Sequence, residues 1–83
     1  MGYWNYRVMR KSFPTLNNEM EEWYRIHQVH YNRNDKIEGH TVKGVAPGGS
    51  SLEEIKKDID LMLKAFDKPV LEYDEKKNKY MEV

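Results

Sequence analysis

Residues 46–66 read APGGSSLEEIKKDIDLMLKAF, and this stretch decides the fold because it ends a run of strands and begins a helix. Proline fixes its own φ and two glycines permit unusual backbone angles, so the first four residues break regular structure. Ser50 or Ser51 caps the helix, since each serine has a glutamate three residues later, the spacing of a capping box. Pro69 disfavours helical backbone in the preceding residue, so we expect the helix to end near Lys68.

Apolar residues recur within this helix at steps of three and four positions. They are Leu52, Ile55, Ile59, Met62, Leu63 and Phe66. Such spacing places side chains on one side of a helix, so this stripe is predicted to lie against a sheet.

Two strands are predicted on the N-terminal side of the break. In residues 3–11 apolar and polar side chains alternate, and a period of two is typical of a half-buried strand. Phe13-Pro14 is expected to end this strand, because proline has no N–H to donate to a sheet. Residues 22–31 are rich in aromatic and β-branched types, a composition that favours a second strand.

Two further segments complete the predicted fold. Residues 32–36 contain asparagine and aspartate, which are typical of a hairpin turn, and they predict a third strand over residues 37–45. Residues 70–73 are a candidate terminal strand, and the charged residues 74–83 are expected to fray as a tail. We therefore predict one α+β domain over residues 1–73. Its three- or four-stranded antiparallel sheet, in the order β-β-β-α with an optional terminal strand, carries one amphipathic helix on one face.

Length and composition bound the class of protein. The 83 residues include no cysteine, which excludes disulfides, thiolate nucleophiles and cysteine-based metal sites. Fourteen basic and fourteen acidic residues cancel, so no general attraction to nucleic acid or to an anionic membrane is expected. No apolar run approaches the roughly 18 residues that span a bilayer, and no signal peptide is evident. These features predict a cytoplasmic protein.

The sequence contains no motif that indicates an enzyme or a cofactor site. It has neither a Gly-x-Ser-x-Gly elbow nor a phosphate-binding glycine loop, so no catalytic residue and no cofactor is predicted. The hairpin of the second and third strands can bring His40 beside either His27 or His30, and such a pair can contribute to a metal site. A metal site at His27 and His40 is kept as a hypothesis. The ordinary interpretation is that they fill strand positions.

A non-enzymatic interaction module is the leading functional hypothesis. One helix covers one face of a sheet, whereas aromatic residues are predicted on both faces, which favours self-association. The candidate contact surface consists of Trp4, Tyr6, Trp23, Val29 and Tyr31. A homodimer is the partner arrangement that this predicts, and the sequence identifies no other protein partner.

A nucleic-acid-associated or antitoxin-like regulatory domain is the alternative. Basic and aromatic residues interleave near the N-terminus, in outline like the platforms that stack single-stranded nucleic acid. The residues that would contact phosphates are Arg7, Arg10, Lys11 and Arg25. The same aromatic residues are needed for a core in so short a chain, so core packing is the stronger interpretation.

Four short stretches of the chain stand out together: residues 23–31, 45–47, 51–54 and 68–71. They read WYRIHQVHY, VAP, SLEE and KPVL, and together they resemble a small uncharacterised bacterial protein family over residues 3–73. This resemblance implies a compact α+β fold and a bacterial origin, and brings no activity with it.

A more distant resemblance rests on the order of the elements and on the stretch Gly49–Glu54. Three strands followed by this turn and one helix are similar to HicB-like antitoxin domains, which have a partial ribonuclease-H-like sheet. The chain departs from that family at Ile55, where alanine is usual, and no DNA-binding extension follows the helix. What the resemblance implies is the regulatory alternative described above.

Overall fold

Two twelve-residue strands, β1 (Tyr3–Pro14) and β2 (Met20–Tyr31), form the central hairpin in the computed structural model, which describes residues 2–83. Their antiparallel register is unbroken from one end of the hairpin to the other. Asn18 closes the turn with a positive φ of 63°, a conformation that asparagine tolerates. β1 runs to Pro14 rather than stopping near residue 11, because a proline at the last position of a strand removes no essential hydrogen bond.

The remaining elements place one helix and three short strands around this hairpin. They are β3 (Ile37–His40), α1 (Leu52–Leu63), a 3-10 turn (Lys64–Asp67), β4 (Leu71–Asp74) and β5 (Lys79–Glu82). The strands lie in the order β3-β2-β1-β4-β5. Neighbouring strands are antiparallel except for β1 and β4, which are parallel.

The predicted sheet is therefore wrong in the number of its strands and in the direction of one pair. The sheet is mixed and has five strands, although the broad α+β class holds. A parallel pair needs a crossover connection, and α1 with its 3-10 turn carries the chain back across the sheet to join β4 to β1. The parallel contact is centred on Leu71, which pairs with Met9.

The segment that was expected to fray forms a second hairpin instead. The Asp74 carboxylate accepts two backbone N–H groups of the turn at 3.0 and 3.3 Å, and Asn78 has a φ of 51°. Aspartate and asparagine commonly fill these positions in tight turns. β5 then pairs with β4, with Tyr80 opposite Tyr73. Residues 74–83 therefore belong to the folded sheet.

β3 is shorter than predicted and ends at His40. Its register with β2 shifts at Glu38, next to Gly39, which makes a β-bulge. The chain beyond β3 still follows β2, since the Val45 N–H donates to the Ile26 carbonyl at 2.8 Å. The predicted third strand thus continues as an irregular segment beside the sheet.

α1 begins at the predicted capping serine, Ser51. Its Oγ accepts the Glu54 N–H at 3.1 Å, and the Glu54 carboxylate accepts both the N–H and the hydroxyl of Ser50, at 2.8 and 2.7 Å. The bonds from Ser50 hold the pKa of Glu54 below its ordinary value. On the sheet side, Asp58 accepts the hydroxyl proton of Tyr6 and so ties the helix to β1.

The apolar stripe of the helix faces the sheet only in part, which corrects the prediction. Met62 and Ala65 pack on Tyr6 and Val8 to form the core between helix and sheet. Four other members of the stripe are exposed: Leu52, Ile59, Leu63 and Phe66.

A second core lies on the face of the sheet opposite the helix. Its buried residues are Met9, Val29, Tyr31 and Leu71. Within residues 2–83 no helix covers this face. The sheet curls until its two edge strands meet, with the Tyr80 hydroxyl 2.6 Å from Nδ1 of His40. We call this face the concave face.

Candidate ligand-binding site

The concave face opens into a cavity of about 260 Å³ along the half of the β1–β2 hairpin that is nearer its turn. β1, β2, β3 and β4 each contribute side chains, and the loop after β3 closes one side through Lys43 and Gly44. Paired residues of antiparallel strands share a face of the sheet, so the register of β1 with β2 brings their side chains together here. We call this cavity the concave pocket.

Aromatic rings form the apolar walls of the concave pocket. They belong to Phe13, Trp23 and Tyr73. Two cations lie over these rings: the Lys11 ammonium is 5.4 Å from the centre of the Phe13 ring, and the Arg25 guanidinium is 5.7 Å from that of Trp23. Such cation–π contacts hold the positive groups beside flat apolar surface.

The concave pocket has more positive than negative charge. Three cations without an ion-pair partner line it: Lys11, Arg25 and Lys43. The lining also includes one carboxylate, that of Glu75, and Arg10, whose charge is paired with Glu72. Within residues 2–83, none of these three cations has a carboxylate within 4 Å. Because the whole chain carries no net charge, this cluster is a local excess.

Two histidines meet in the same pocket, with ring centres 5.7 Å apart. Nδ1 of His27 lies 2.9 Å from the Thr41 carbonyl, which can only accept, so Nδ1 carries a proton. Burial lowers the pKa of His40, and the neighbouring His27 and Lys11 lower it further. Burial also raises the pKa of Tyr80, so the Tyr80 hydroxyl donates to Nδ1 of a neutral His40.

Of the two histidines that the sequence allowed beside His40, the structure brings His27 into contact with it. A structural zinc site needs four ligands and a catalytic one three. In residues 2–83, however, no group of three or more histidine and carboxylate residues is placed to hold a metal ion. The hypothesis of a histidine metal site therefore gains a pair of ligands without the third that it requires.

The buried His40 makes the stability of the fold depend on pH. Its pKa is lower in the folded chain than the ordinary value of about 6.5, so below that pH the unfolded chain binds more protons. We expect the free energy of unfolding to fall as the pH is lowered from 7.5 to 5.5. Urea unfolding of the wild type and of His40→Asn measures this, since the variant should show a smaller fall. An equal fall in both proteins would assign the pH dependence to other groups.

The four basic residues of the nucleic-acid alternative do not form one surface. Arg7 is buried and donates to the Tyr31 hydroxyl and to the Pro69 carbonyl. Arg10 is paired with Glu72 at 2.6 Å. Of these four residues, only Lys11 and Arg25 line the concave pocket without a paired carboxylate.

The predicted contact surface is divided between the two faces of the sheet. Tyr6 is buried beneath the helix, whereas Val29 and Tyr31 are buried in the second core. Trp4 and Trp23 are about half exposed, but the strand register places them on opposite faces. The structure therefore does not bring these five residues together as a surface, and self-association itself stays a prediction.

Sequence reasoning missed Phe13, Lys43 and Tyr73 as pocket residues. Phe13 could have been predicted as a pocket residue. The alternation of side chains along a strand places it on the same face as Lys11, and the neighbouring strand carries Trp23. Lys43 and Tyr73 lie on a loop and on β4, and they reach the pocket because the sheet curls. No local pattern in the sequence predicts that curl.

Comparison with known proteins gives this chain no relative: no protein-family model, curated protein or solved structure matches it. The two resemblances described from the sequence stay predictions. In the described part of the chain, no helix combines the length and the apolar character that crossing a bilayer requires.

Proposed function

We propose that this domain binds a small organic anion that carries a flat apolar group, and that it does so in the concave pocket. The observation that carries the proposal is the convergence of three unpaired cations on a cavity with aromatic walls. A charged group would bind the cations, and a flat group would stack on Trp23 or Phe13.

The size of the cavity and the charge of the chain favour a small ligand over a polymer. The volume of about 260 Å³ is just below the roughly 300 to 1,000 Å³ typical of small-molecule sites. Single-stranded nucleic acid needs a positive groove that follows several phosphates. Here Arg7 and Arg10 are occupied by other groups, which leaves one cluster and no track.

Binding can be tested with benzenesulfonate, a flat anion whose charge is constant across the pH range of interest. Trp4→Phe leaves Trp23 as the single tryptophan, so its fluorescence reports on the pocket alone. We expect benzenesulfonate to quench or shift this fluorescence with saturation. The neutral analogue benzenesulfonamide should bind at least about tenfold more weakly, since it lacks the charge-assisted bonds. Equal binding of the two compounds would contradict the proposal.

A matched pair of variants tests whether the pocket cations are responsible. Arg25→Gln with Lys43→Gln removes two positive charges from the pocket, and Lys36→Gln with Lys57→Gln removes two from exposed positions elsewhere. We expect about a tenfold or greater loss of affinity for benzenesulfonate in the first variant only. A similar loss in both would mean that net charge, not the pocket, attracts the anion.

A further inference from the structure

The two histidine rings of the concave pocket each have one nitrogen that the fold uses and one that it leaves free. Nδ1 of His27 lies 2.9 Å from the Thr41 carbonyl, and Nδ1 of His40 lies 2.6 Å from the Tyr80 hydroxyl. Within residues 2–83 neither Nε2 atom has a hydrogen-bond partner, and neither belongs to the buried polar atoms that lack one. Because both rings line the pocket, a ligand there can reach both Nε2 atoms.

The two free nitrogens differ in what they offer to a ligand. The Thr41 carbonyl can only accept, so the proton of a neutral His27 ring is on Nδ1 and Nε2 has a lone pair. Nδ1 of His40 accepts the Tyr80 hydroxyl proton, so the proton of a neutral His40 ring is on Nε2. His40 therefore donates to an anion as it stands, whereas His27 donates from Nε2 only after it gains a proton.

The charge of the pocket matches an anion with two negative charges. Three unpaired cations and one carboxylate line it, which leaves an excess of two positive charges; these residues are Lys11, Arg25, Lys43 and Glu75. Arg10 adds nothing to this excess, because it is already paired with a carboxylate. An anion with one charge would leave part of the excess uncompensated.

The number of donors favours a phosphate group over a carboxylate. Nε2–H of His40 joins the three cations as a fourth donor side chain around the pocket. A carboxylate offers only two oxygens, whereas a phosphate monoester offers three and carries a charge of about −1.5 to −2 at pH 7. The planar guanidinium of Arg25 is also suited to hold two phosphate oxygens at once.

His27 is the group best placed to gain a proton beside such an anion. The first two strands and the loop after β3 present cations that already hold their protons: Arg10, Lys11, Arg25 and Lys43. β4 and β5 present the phenols of Tyr73 and Tyr80, which are donors. Burial lowers the pKa of His40, which opposes its protonation. Glu75 is the remaining group that could gain a proton, and the variants below separate it from His27.

We propose that the anion of the concave pocket is the phosphate monoester of a small flat molecule, and that His27 takes up one proton from solvent when this ligand binds. The proton adds to Nε2 of His27, which then donates to a phosphate oxygen as Nε2 of His40 does. The proposal rests on the function proposed above, which requires only an anion with a flat group. The two can therefore fail separately.

Three flat anions test the class of ligand by the fluorescence of Trp23 in Trp4→Phe at pH 7.5. Phenyl phosphate should bind at least about tenfold more tightly than benzenesulfonate, which has one charge. It should also bind at least about tenfold more tightly than isophthalate, whose two charges are on separate carboxylates. Equal binding of phenyl phosphate and either other anion would overturn the phosphate assignment alone. If none of the three bound, the function proposed for the pocket would fail with it.

A short capped peptide with a central phosphotyrosine distinguishes a small ligand from a protein partner, because it carries the same phenyl phosphate group. We expect it to bind no more tightly than phenyl phosphate, since the cavity of about 260 Å³ is filled by that group. An affinity more than about tenfold higher for the peptide would overturn the small-molecule source.

Isothermal titration calorimetry counts the proton. The heat of binding changes with the ionisation enthalpy of the buffer in proportion to the protons taken up, so we compare Tris with PIPES at pH 7.5. We expect the uptake of about one proton with phenyl phosphate in the wild type, since histidine changes its charge in this range of pH. His27→Asn should take up almost none, although its amide can still donate to the Thr41 carbonyl.

His30→Asn is the matched control, since His30 is exposed on the opposite face of the same strand. This variant should take up as many protons as the wild type, and circular dichroism checks the fold of both variants. The absence of proton uptake in the wild type would overturn the role of His27 without any variant. Uptake that persisted in His27→Asn and disappeared in Glu75→Gln would overturn it in favour of the carboxylate.

Discussion

Arg7→Ala is expected to lower the free energy of unfolding by about 4 kcal/mol. The Arg7 side chain is buried in β1, and its guanidinium donates to the Tyr31 hydroxyl at 2.9 Å and to the Pro69 carbonyl at 2.8 Å. Alanine would leave both acceptors without this donor and would open a cavity where the side chain packs. A domain of 83 residues has a total stability of only about 4 to 12 kcal/mol, so this loss would be about a third or more of the total.

Two further variants separate the buried position of Arg7 from its charge. Arg7→Met fills the space without donating hydrogen bonds, so about half of the loss should return. Arg10→Ala removes a neighbouring arginine that is partly exposed and paired with Glu72, and it should cause a much smaller loss. Urea denaturation followed by circular dichroism measures all three. Equal stability of Arg7→Ala and Arg10→Ala would contradict the conclusion that the contacts of Arg7 with Tyr31 and Pro69 stabilise the fold.

The same residue shows why the candidate site could be predicted only in part. A period of two places Arg7 and Lys11 on one face of β1, and the sequence treats them as equivalent cations. In the folded chain Arg7 is beneath the curled sheet and Lys11 is in the concave pocket. The difference is set by β4 and β5, which lie about 60 to 75 positions away along the chain. Local patterns contain no information on such distant contacts.

The helix start and the central hairpin could be predicted because their causes are local. Ser51 and Glu54 act within one turn, and the aromatic composition of residues 22–31 favours a strand by itself. The parallel pairing of β4 with β1 depends on where the helix returns the chain, which no short segment encodes. The turn at Asp74 and Asn78 was readable in the sequence, but the charges around it favoured a frayed tail instead.

The exposed apolar residues of α1 change how the periodicity of the helix should be understood. Six apolar residues at three- and four-residue steps predicted one face against one sheet. The structure divides them between a side that packs on the sheet and a side that is exposed. The periodic pattern is therefore wider than the contact with the sheet requires. Self-association itself stays a prediction, on the sheet residues for which it was made.

A substitution at Leu71 tests whether the C-terminal hairpin contributes to the stability of the fold. Leu71 is 1% exposed, pairs with Met9 across the parallel strands and belongs to the core on the concave face. Leu71→Ala should lower the free energy of unfolding by about 3 kcal/mol, through lost burial and the cavity that remains. Met81→Ala is the control on the same hairpin, because Met81 is 45% exposed and its loss should cost less than about 1 kcal/mol.

Amide hydrogen exchange distinguishes a hairpin that is part of the core from one that merely touches it. If β4 and β5 fold with the rest of the sheet, their amides should exchange at rates close to those of β1, and Leu71→Ala should speed exchange throughout the chain. If residues 74–83 frayed, their amides would exchange fast in the wild type and Leu71→Ala would match Met81→Ala. That outcome would also remove Tyr80 from His40 and Tyr73 from the concave pocket. The anion site and the C-terminal hairpin therefore depend on the same packing.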